Sequence, residues 1–398
     1  MAPAPSRTEE LIVPETAASR VALVWRNDVL HGSETFIRNQ VDATREWRVI
    51  LAGARRWESV LSAETDEILF GSPPIERLRR RLFLMTGRSR RLDRLIRSQG
   101  ISLVHAHFAT SATAVAGTAR RLRLPFIVTV HGFDVTNHQM RRGWRGARNA
   151  RRMRRALQGA SRVVAVSDFI ALQTTAAFDV DPERIRVLPI GIPVRAKSVR
   201  ARATRDLVFV GRLVEKKGVS DLLDALSLLA DRHLRPTLAI VGNGPLRESL
   251  EAVASARGLA VEFLGHLTPD AVAEVLRESK VFVAPSRTAP DGDAEGFGMV
   301  YLEAALAGIP AIAYRHGGVP EAVIDGVTGL LAEEGDVEAL AASIETLLTD
   351  PEARAEMGRA AEARVRAEFD IRSRTEDLVT LYEEVVRGAA RPGGVPRA

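Results

Sequence analysis

The sequence predicts two doubly wound α/β domains, each built on a parallel sheet, facing each other across a cleft. Three observations predict it: a length of 398 residues, an alternation of short apolar runs with helically spaced segments that occurs twice, and a break in every periodicity near the middle. One hydrophobic core rarely serves a chain of this length, so two domains are the first expectation. Continuous apolar runs imply strands buried on both faces, as in parallel sheets covered by helices.

In the first half the runs are Val21 to Trp25, Trp47 to Ala52, Leu103 to His107, Phe126 to Val130 and Val163 to Val166. Segments between them, such as Ala109 to Arg121, carry apolar residues at helical spacing, which gives βαβ units and a Rossmann-like sheet. Residues 20–190 are assigned to this domain. Met1 to Ser19 mixes Pro, Ala, Glu and Thr without a basic start and an apolar stretch, so it reads as a flexible tail and not as a secretory signal. After Leu188, the prolines at 189 and 193, Gly191 and a polar stretch to Arg205 mark a linker.

The second alternation has strands at Leu207 to Val210, Thr237 to Val241, Val261 to Leu264, Val281 to Ala284, Ala311 to Ala313 and Gly329 to Leu331. It defines a domain over 205–372. Two helical segments, Pro351 to Phe369 and Ser373 to Arg387, have no strand after them, and 373–388 is expected to close the fold from outside. Residues 389–398, rich in Pro, Gly and Arg, are expected to form a second flexible tail. In doubly wound sheets ligands sit beyond the carboxyl ends of the strands, so the chemistry is expected between the domains.

Composition removes several function classes. There is no cysteine, hence no disulfide framework, thiolate zinc site or cysteine nucleophile. No apolar run approaches the roughly 18 residues of a membrane-spanning helix, and a cytoplasmic location is expected. The net charge of +6 conceals an asymmetry: residues 1–198 hold 33 Lys+Arg against 18 Asp+Glu, and the remainder is acidic. Nine arginines fall in Arg77 to Arg97 and eight in Arg141 to Arg155. Both stretches read as helical, either as solvated faces or as a peripheral surface for anionic lipid at the inner face of a membrane, since Leu78, Leu82, Phe83, Leu84 and Met85 interleave with the arginines. Nucleic acid fits poorly, because aromatic residues make up only 5% of the chain and no nucleic-acid module accompanies the charge.

The strongest chemical signal is Ala294-Glu295-Gly296-Phe297-Gly298-Met299-Val300-Tyr301-Leu302-Glu303. A glycine-rich turn runs straight into an apolar helix, so unsatisfied first-turn amides can face an anion with the helix dipole behind them. Phe209-Val210-Gly211-Arg212-Leu213-Val214-Glu215-Lys216-Lys217-Gly218, Val241-Gly242-Asn243-Gly244 and Phe263-Leu264-Gly265-His266 follow strands in the same half. Thr129-Val130-His131-Gly132-Phe133-Asp134 ends a strand of the first half, and His31-Gly32-Ser33-Glu34-Thr35-Phe36 follows its first strand.

As a set and in this order, these motifs resemble the family 4 glycosyltransferases of the GT-B fold, whose E-x7-E signature matches Glu295 and Glu303. The Ser-Glu-Thr-Phe run resembles the branch that builds bacterial exopolysaccharides of the colanic-acid type. The resemblance implies a retaining, hexosyl-transferring enzyme that uses a UDP- or GDP-linked sugar and a saccharide or lipid-linked acceptor in surface polysaccharide biosynthesis. It implies a donor site of Gly32, Arg212, Lys217, His266, Gly296, Phe297, Gly298, Met299, Val300 and Glu303. It also implies a catalytic pair of His131 and Glu295, with Asp134 touching the acceptor. Many relatives carry two glycines where this chain has only Gly32. His105 and His107 read as core or supporting histidines.

No metal or other cofactor is expected. Asp291-Gly292-Asp293 has the D-x-D form that binds a divalent cation in the other large glycosyltransferase fold, but the two-domain pattern is wrong for it, and a mobile loop is the expectation. A natural-product acceptor, a nucleotide-sugar 2-epimerase of the same fold and a non-catalytic nucleotide-sugar binding protein are the alternatives. A phosphorylase would need a pyridoxal phosphate lysine, for which no motif argues.

Overall fold

The computed structural model describes residues 20–137, 142–194 and 203–390. The expected tails, 1–19 and most of 389–398, lie outside the described residues, as do much of the linker and Arg141. Among the described residues the first half contributes β1 (Val21–Trp25), β2 (Asp28–Val29), β3 (Arg48–Gly53), β4 (Arg55–Arg56), β5 (Glu67–Ile68), β6 (Ile101–His107), β7 (Phe126–Val130), β8 (Arg162–Ala165) and β9 (Ile185–Val187). Seven of these form a parallel sheet in the order β5-β3-β1-β6-β7-β8-β9, and β2 pairs with β4 beside it. The second half contributes β10 (Arg205–Val210), β11 (Leu238–Val241), β12 (Val261–Gly265), β13 (Ser279–Ala284), β14 (Ala311–Tyr314) and β15 (Gly329–Ala332), parallel in the order β12-β11-β10-β13-β14-β15.

Each sheet therefore reverses its direction of growth once, between β1 and β6 and between β10 and β13. At such a reversal the connecting segments diverge to opposite faces, leaving a crevice beyond the strand ends. The apolar runs are central strands because both faces are covered: all of β1 and β7 is buried, as is all but one residue of β6. The expected strands lie within a residue or two of the observed ones. The strands absent from the sequence reading are the two-residue pair β2 and β4 and the short edge elements β5 and β9, Glu67-Ile68 and Ile185-Arg186-Val187, none of which carries much periodic signal.

The chain ends in helices Pro351–Glu368 and Ile371–Ala390. The second does more than close the fold from outside, because it returns to the first domain and completes its core. Leu378, Leu381, Tyr382 and Val385 pack with Ala22, Trp47, Leu103, Ile127 and Val164. The Tyr382 hydroxyl lies 2.6 Å from His105 Nδ1, and Trp47 Nε1 donates to Glu383 at 2.9 Å. The crossing between domains is pinned where Ile192 N–H donates to Phe369 O at 2.9 Å and Ile371 N–H to Ile192 O at 3.0 Å. Gly191 is required there, since a Cβ would lie 2.6 Å from the Ile371 Cα.

This anchoring makes the last helix part of the first domain's stability. Tyr382→Phe, which removes one buried hydrogen bond, is expected to cost about 1–2 kcal/mol. Tyr382→Ala, which also empties the site, should cost about 3–5 kcal/mol. Denaturant unfolding of both variants checks this. A Tyr382→Ala protein as stable as the parent would mean that the helix is not docked.

Candidate donor and catalytic cleft

On the second domain, the ends of β10, β11 and β12 are drawn together by backbone hydrogen bonds. Gly211 N–H donates to Val241 O, Leu213 N–H to Asn243 O and Gly242 N–H to Gly265 O, at 2.9, 3.0 and 2.7 Å. The approach depends on glycine: a Cβ on Gly242, whose φ is +133°, would lie 1.9 Å from Gly211 O, and one on Gly244 2.3 Å from Leu213 O. From this floor Arg212 projects into solvent, with no ion-pair partner among the described residues, and His266 is exposed one residue beyond β12.

The turn Glu295–Gly298 opens the helix Met299–Leu306. Gly298 has φ +87° and lies against the Tyr301 ring, where a Cβ would come within 2.5 Å. The Tyr301 hydroxyl donates to Ala284 O at 2.6 Å, which fixes the start of the helix at the end of β13. Phe297 is buried against Phe369, while Met299 and Val300 are half-buried in the first turn, where Tyr301 N–H donates to Gly298 O at 3.0 Å and the Met299 and Val300 amides have no partner among the described residues. Glu303, one turn further on, has no hydrogen-bond or ion-pair partner among the described residues, and burial pushes its carboxyl up to about 7.

Glu295 has the opposite character. Burial alone would raise its carboxyl, but Lys217 and Lys216 beside it hold it down to about 2. The Lys217 ammonium is bonded directly to the Glu295 carboxylate, and Lys216 Nζ lies 2.9 Å from Asp293 Oδ2. Lys217, read from the sequence as a diphosphate ligand, is thus ion-paired with a carboxylate. The Glu295 N–H donates to His316 Nε2 at 3.2 Å, so the proton of the neutral His316 ring is on Nδ1, directed at Glu334 Oε2 2.7 Å away.

The first domain meets this turn through backbone. A Cβ on Gly296 would lie 2.2 Å from His131 O, one on Gly318 2.1 Å from Gly296 O, and one on Gly317 2.4 Å from Glu295 O. Gly132, with φ +131°, completes the stack. The glycine at 296, assigned from sequence to phosphate contact, is imposed by this seam between domains. Two further contacts reinforce it: Ser167 Oγ donates to Gly296 O at 2.6 Å, and the Glu321 carboxylate accepts from Asp168 N–H and Phe169 N–H at 2.8 and 3.0 Å. The seam brings His131 and Glu295 together.

His131 Nε2 lies 3.0 Å from His107 Nδ1, and burial keeps both rings neutral, well below the usual histidine range. His131 Nδ1 and His107 Nε2 are buried without a hydrogen-bond partner among the described residues. His105, held at about 3 by burial, bonds Thr129 Oγ1 and Tyr382. Next to the histidines, Arg26 donates to Glu34 at 2.7 and 3.0 Å and to Ser111 at 2.9 Å, with its guanidinium over Phe108.

Two sequence expectations are corrected by the geometry. Asp134 does not reach toward an acceptor: its buried carboxylate accepts from Ala109, His131 and Gly132 N–H groups at 2.7, 3.2 and 3.3 Å and holds the histidine turn in place. Asp291 and Asp293 are not a free loop. Asp291 Oδ2 accepts from Asn137 Nδ2 at 2.8 Å, and Asp293 Oδ1 accepts from Thr136 Oγ1 at 3.2 Å, both across the seam. Gly32 has open space where a Cβ would stand. Sequence reading missed Ser167, Lys216, His316, Glu321 and the Arg26–Glu34 pair. Ser167 shows a helix-cap signature before Asp168, but the carbonyl it grips lies 129 positions away.

Known proteins agree with this arrangement. The model described as "Glycosyltransferase Family 4" matches residues 30–195, and that described as "Glycosyl transferases group 1" matches residues 194–364. A GDP-mannose-dependent alpha-(1-6)-phosphatidylinositol monomannoside mannosyltransferase of Mycolicibacterium smegmatis is 34% identical over 67% of this chain and 72% of its own length. A glycogen synthase of Mycobacterium tuberculosis is 30% identical over 74% of this chain and 72% of its own. Among solved structures, the Anabaena protein HepE in complex with UDP-glucose superposes with a TM-score of 0.72 at 20% identity, covering 92% of this chain and 99% of that one. With paired doubly wound sheets, the glycine-rich turn and its two glutamates in place, the chain belongs to the family 4 glycosyltransferases and has their GT-B fold.

Proposed function

We propose that this glycosyltransferase moves a sugar, with retention of configuration, from a UDP- or GDP-linked donor to a lipid-linked saccharide in surface polysaccharide assembly, without a metal ion. One observation carries the donor assignment. Glu303, a carboxylate without a partner among the described residues, sits one turn inside a helix whose opening turn is joined to the Arg212 loop by the Lys217–Glu295 ion pair. A vicinal diol such as ribose supplies two hydroxyl donors to such a carboxylate, and the helix start and Arg212 complement a diphosphate. The relative of Mycolicibacterium smegmatis is named for GDP-mannose and a phosphatidylinositol acceptor, and the Anabaena neighbour binds UDP-glucose. Both support a nucleotide-sugar donor, and the first supports a lipid acceptor.

The mechanism follows from which charges are already paired. Asp293 and Glu295 are both held by lysines, so neither is a free nucleophile, and a double displacement through an enzyme carboxylate is disfavoured. In the same-face route, the diphosphate departs toward Arg212, Lys217 and the first-turn amides as negative charge grows on its oxygen. That oxygen then takes the proton of the acceptor hydroxyl attacking from the same side. A diphosphate offers Lys217 a second anion, which releases Glu295 to orient the sugar hydroxyls and face the positive charge developing on the ring. His131, kept neutral by burial, orients the sugar as a hydrogen-bonding group and not as a cation.

Thermal shift against UDP, GDP, ADP and TDP and their sugar conjugates, with and without EDTA, tests the donor class. A single diphosphate should stabilise the protein, with EDTA making no difference. A shift lost in EDTA would overturn the metal-free reading, and no shift with any nucleotide would favour a scaffold. Arg212→Ala and Glu303→Ala should each lower kcat/KM at least about 100-fold while leaving the melting temperature near that of the parent. Formation of a free epimerised nucleotide sugar without acceptor would identify an epimerase instead.

The Glu303 carboxyl adds a pH signature. Ribose hydroxyls favour its ionised form, so binding releases the proton that burial retains. The contribution of Glu303 to donor affinity should rise by up to about tenfold per pH unit as pH climbs toward about 7, then level off. Comparison with Glu303→Gln by calorimetry subtracts the titration of the phosphate itself. Parallel pH profiles for the two proteins would remove Glu303 from the donor site. Glu295, held at about 2 by Lys217 and Lys216 against its burial, is ionised in this structure across that range.

A further inference from the structure

The helix Pro74–Thr86 buries only Phe83. Ile75, Leu78, Leu82 and Met85, spaced three, four and three residues apart, share one face and are 54%, 62%, 60% and 60% exposed. Glu76, on the protein side, holds Arg79 and Arg91, which fixes the helix orientation. Arg77 and Arg81 continue around the helix from the apolar stripe and have no ion-pair partner among the described residues. The second basic helix, Gly143–Gln158, reaches the end of the first: Arg152 Nη2 donates to Leu84 O at 2.5 Å. Near its start Trp144 is 72% exposed, and Arg145, Arg148 and Arg151 are exposed and unpaired among the described residues.

We propose that these two helices form a docking surface for an anionic lipid bilayer, with the Ile75–Leu78–Leu82–Met85 stripe and Trp144 entering the interface and the arginines meeting the headgroups. A convex stripe one side chain wide, bordered by cations, matches a planar interface of apolar interior and negative surface. No helix among the described residues is long and apolar enough to cross a membrane, so the contact is peripheral. Both helices leave the carboxyl edge of the first sheet, one six residues after β5 and the other after the His131 turn, which is the edge that faces the cleft. As a route by which a lipid-linked acceptor reaches the cleft, the surface rests on the proposed function. As a binding surface it stands on these residues alone.

Co-sedimentation of the full chain with vesicles of phosphatidylcholine, with and without phosphatidylglycerol, tests it and needs no donor or acceptor. Binding is expected only with phosphatidylglycerol and should weaken as salt rises. Leu78→Ser with Leu82→Ser, at exposed sites and with an unchanged melting temperature, should reduce binding about tenfold or more. Arg77→Gln with Arg81→Gln should reduce it and flatten the salt dependence. Equal binding to phosphatidylcholine alone, no binding to either vesicle, or full binding by the leucine variant would each overturn the proposal. Self-association abolished by the leucine variant, without vesicle binding, would reassign the stripe to a second copy of the chain. Loss of nucleotide-induced stabilisation in the parent, with vesicle binding intact, would count against the donor assignment and not against this surface.

Discussion

The close backbone contact between the His131–Gly132 turn of one domain and the Glu295–Gly296 turn of the other is the constraint on which the site depends. Glycines at 296, 317 and 318 let three segments stack at distances no Cβ would allow, and Gly132 adopts a φ of +131° that side chains rarely take. The side chains that project from these segments are thereby brought into one cleft although their sequence positions are more than 160 apart. Hydrogen bonds from Ser167 and to Glu321 and Asp293 cross the same seam. They use groups that would be costly to bury unpaired, so the two domains satisfy one another's polar atoms at the join.

The electrostatics follow from that join. Two lysines and two carboxylates are packed where water is scarce, and each charge is tolerable only because its partner is in contact. Paired charges of this kind are poor nucleophiles but ready exchangers. On the proposed function, a diphosphate would bring more negative charge to Lys217 than one carboxylate does. Glu303 differs because no cation stands near it, and the same burial therefore leaves it close to its titration point. Two glutamates eight residues apart thus carry opposite protonation biases, set by neighbours and not by residue type.

Much of this architecture was legible in the sequence because parallel strands buried on both faces write themselves as unbroken apolar runs. β1, β6, β7, β10 and β13 were visible for that reason, as was the turn before Met299, where glycine spacing and an apolar helix coincide. The parts that were not legible are those fixed by tertiary partners. Asp134 reads as a polar residue at a strand end, and only the fold reveals the three amides that occupy it. Asp291 and Asp293 read as a metal motif or loose loop because Thr136 and Asn137, which hold them, belong to the other domain.

The last helix links these themes. By returning to the first domain it ties the two sheets together at a second point, distant in sequence from the glycine seam, and its Tyr382 reaches His105. His105 stacks on His107 at 4.5 Å between ring centroids, and His107 bonds His131. Burial keeps all three rings neutral, so the column transmits position and tautomer, not charge. In a neutral ring one nitrogen donates and the other accepts. The proton placement at the His107–His131 bond therefore decides whether the remaining nitrogen of His131 is a donor or an acceptor. Docking of the helix thus bears on the orientation of the His131 ring through two supporting histidines, and a residue of the last helix belongs to the contacts that hold the His131 turn.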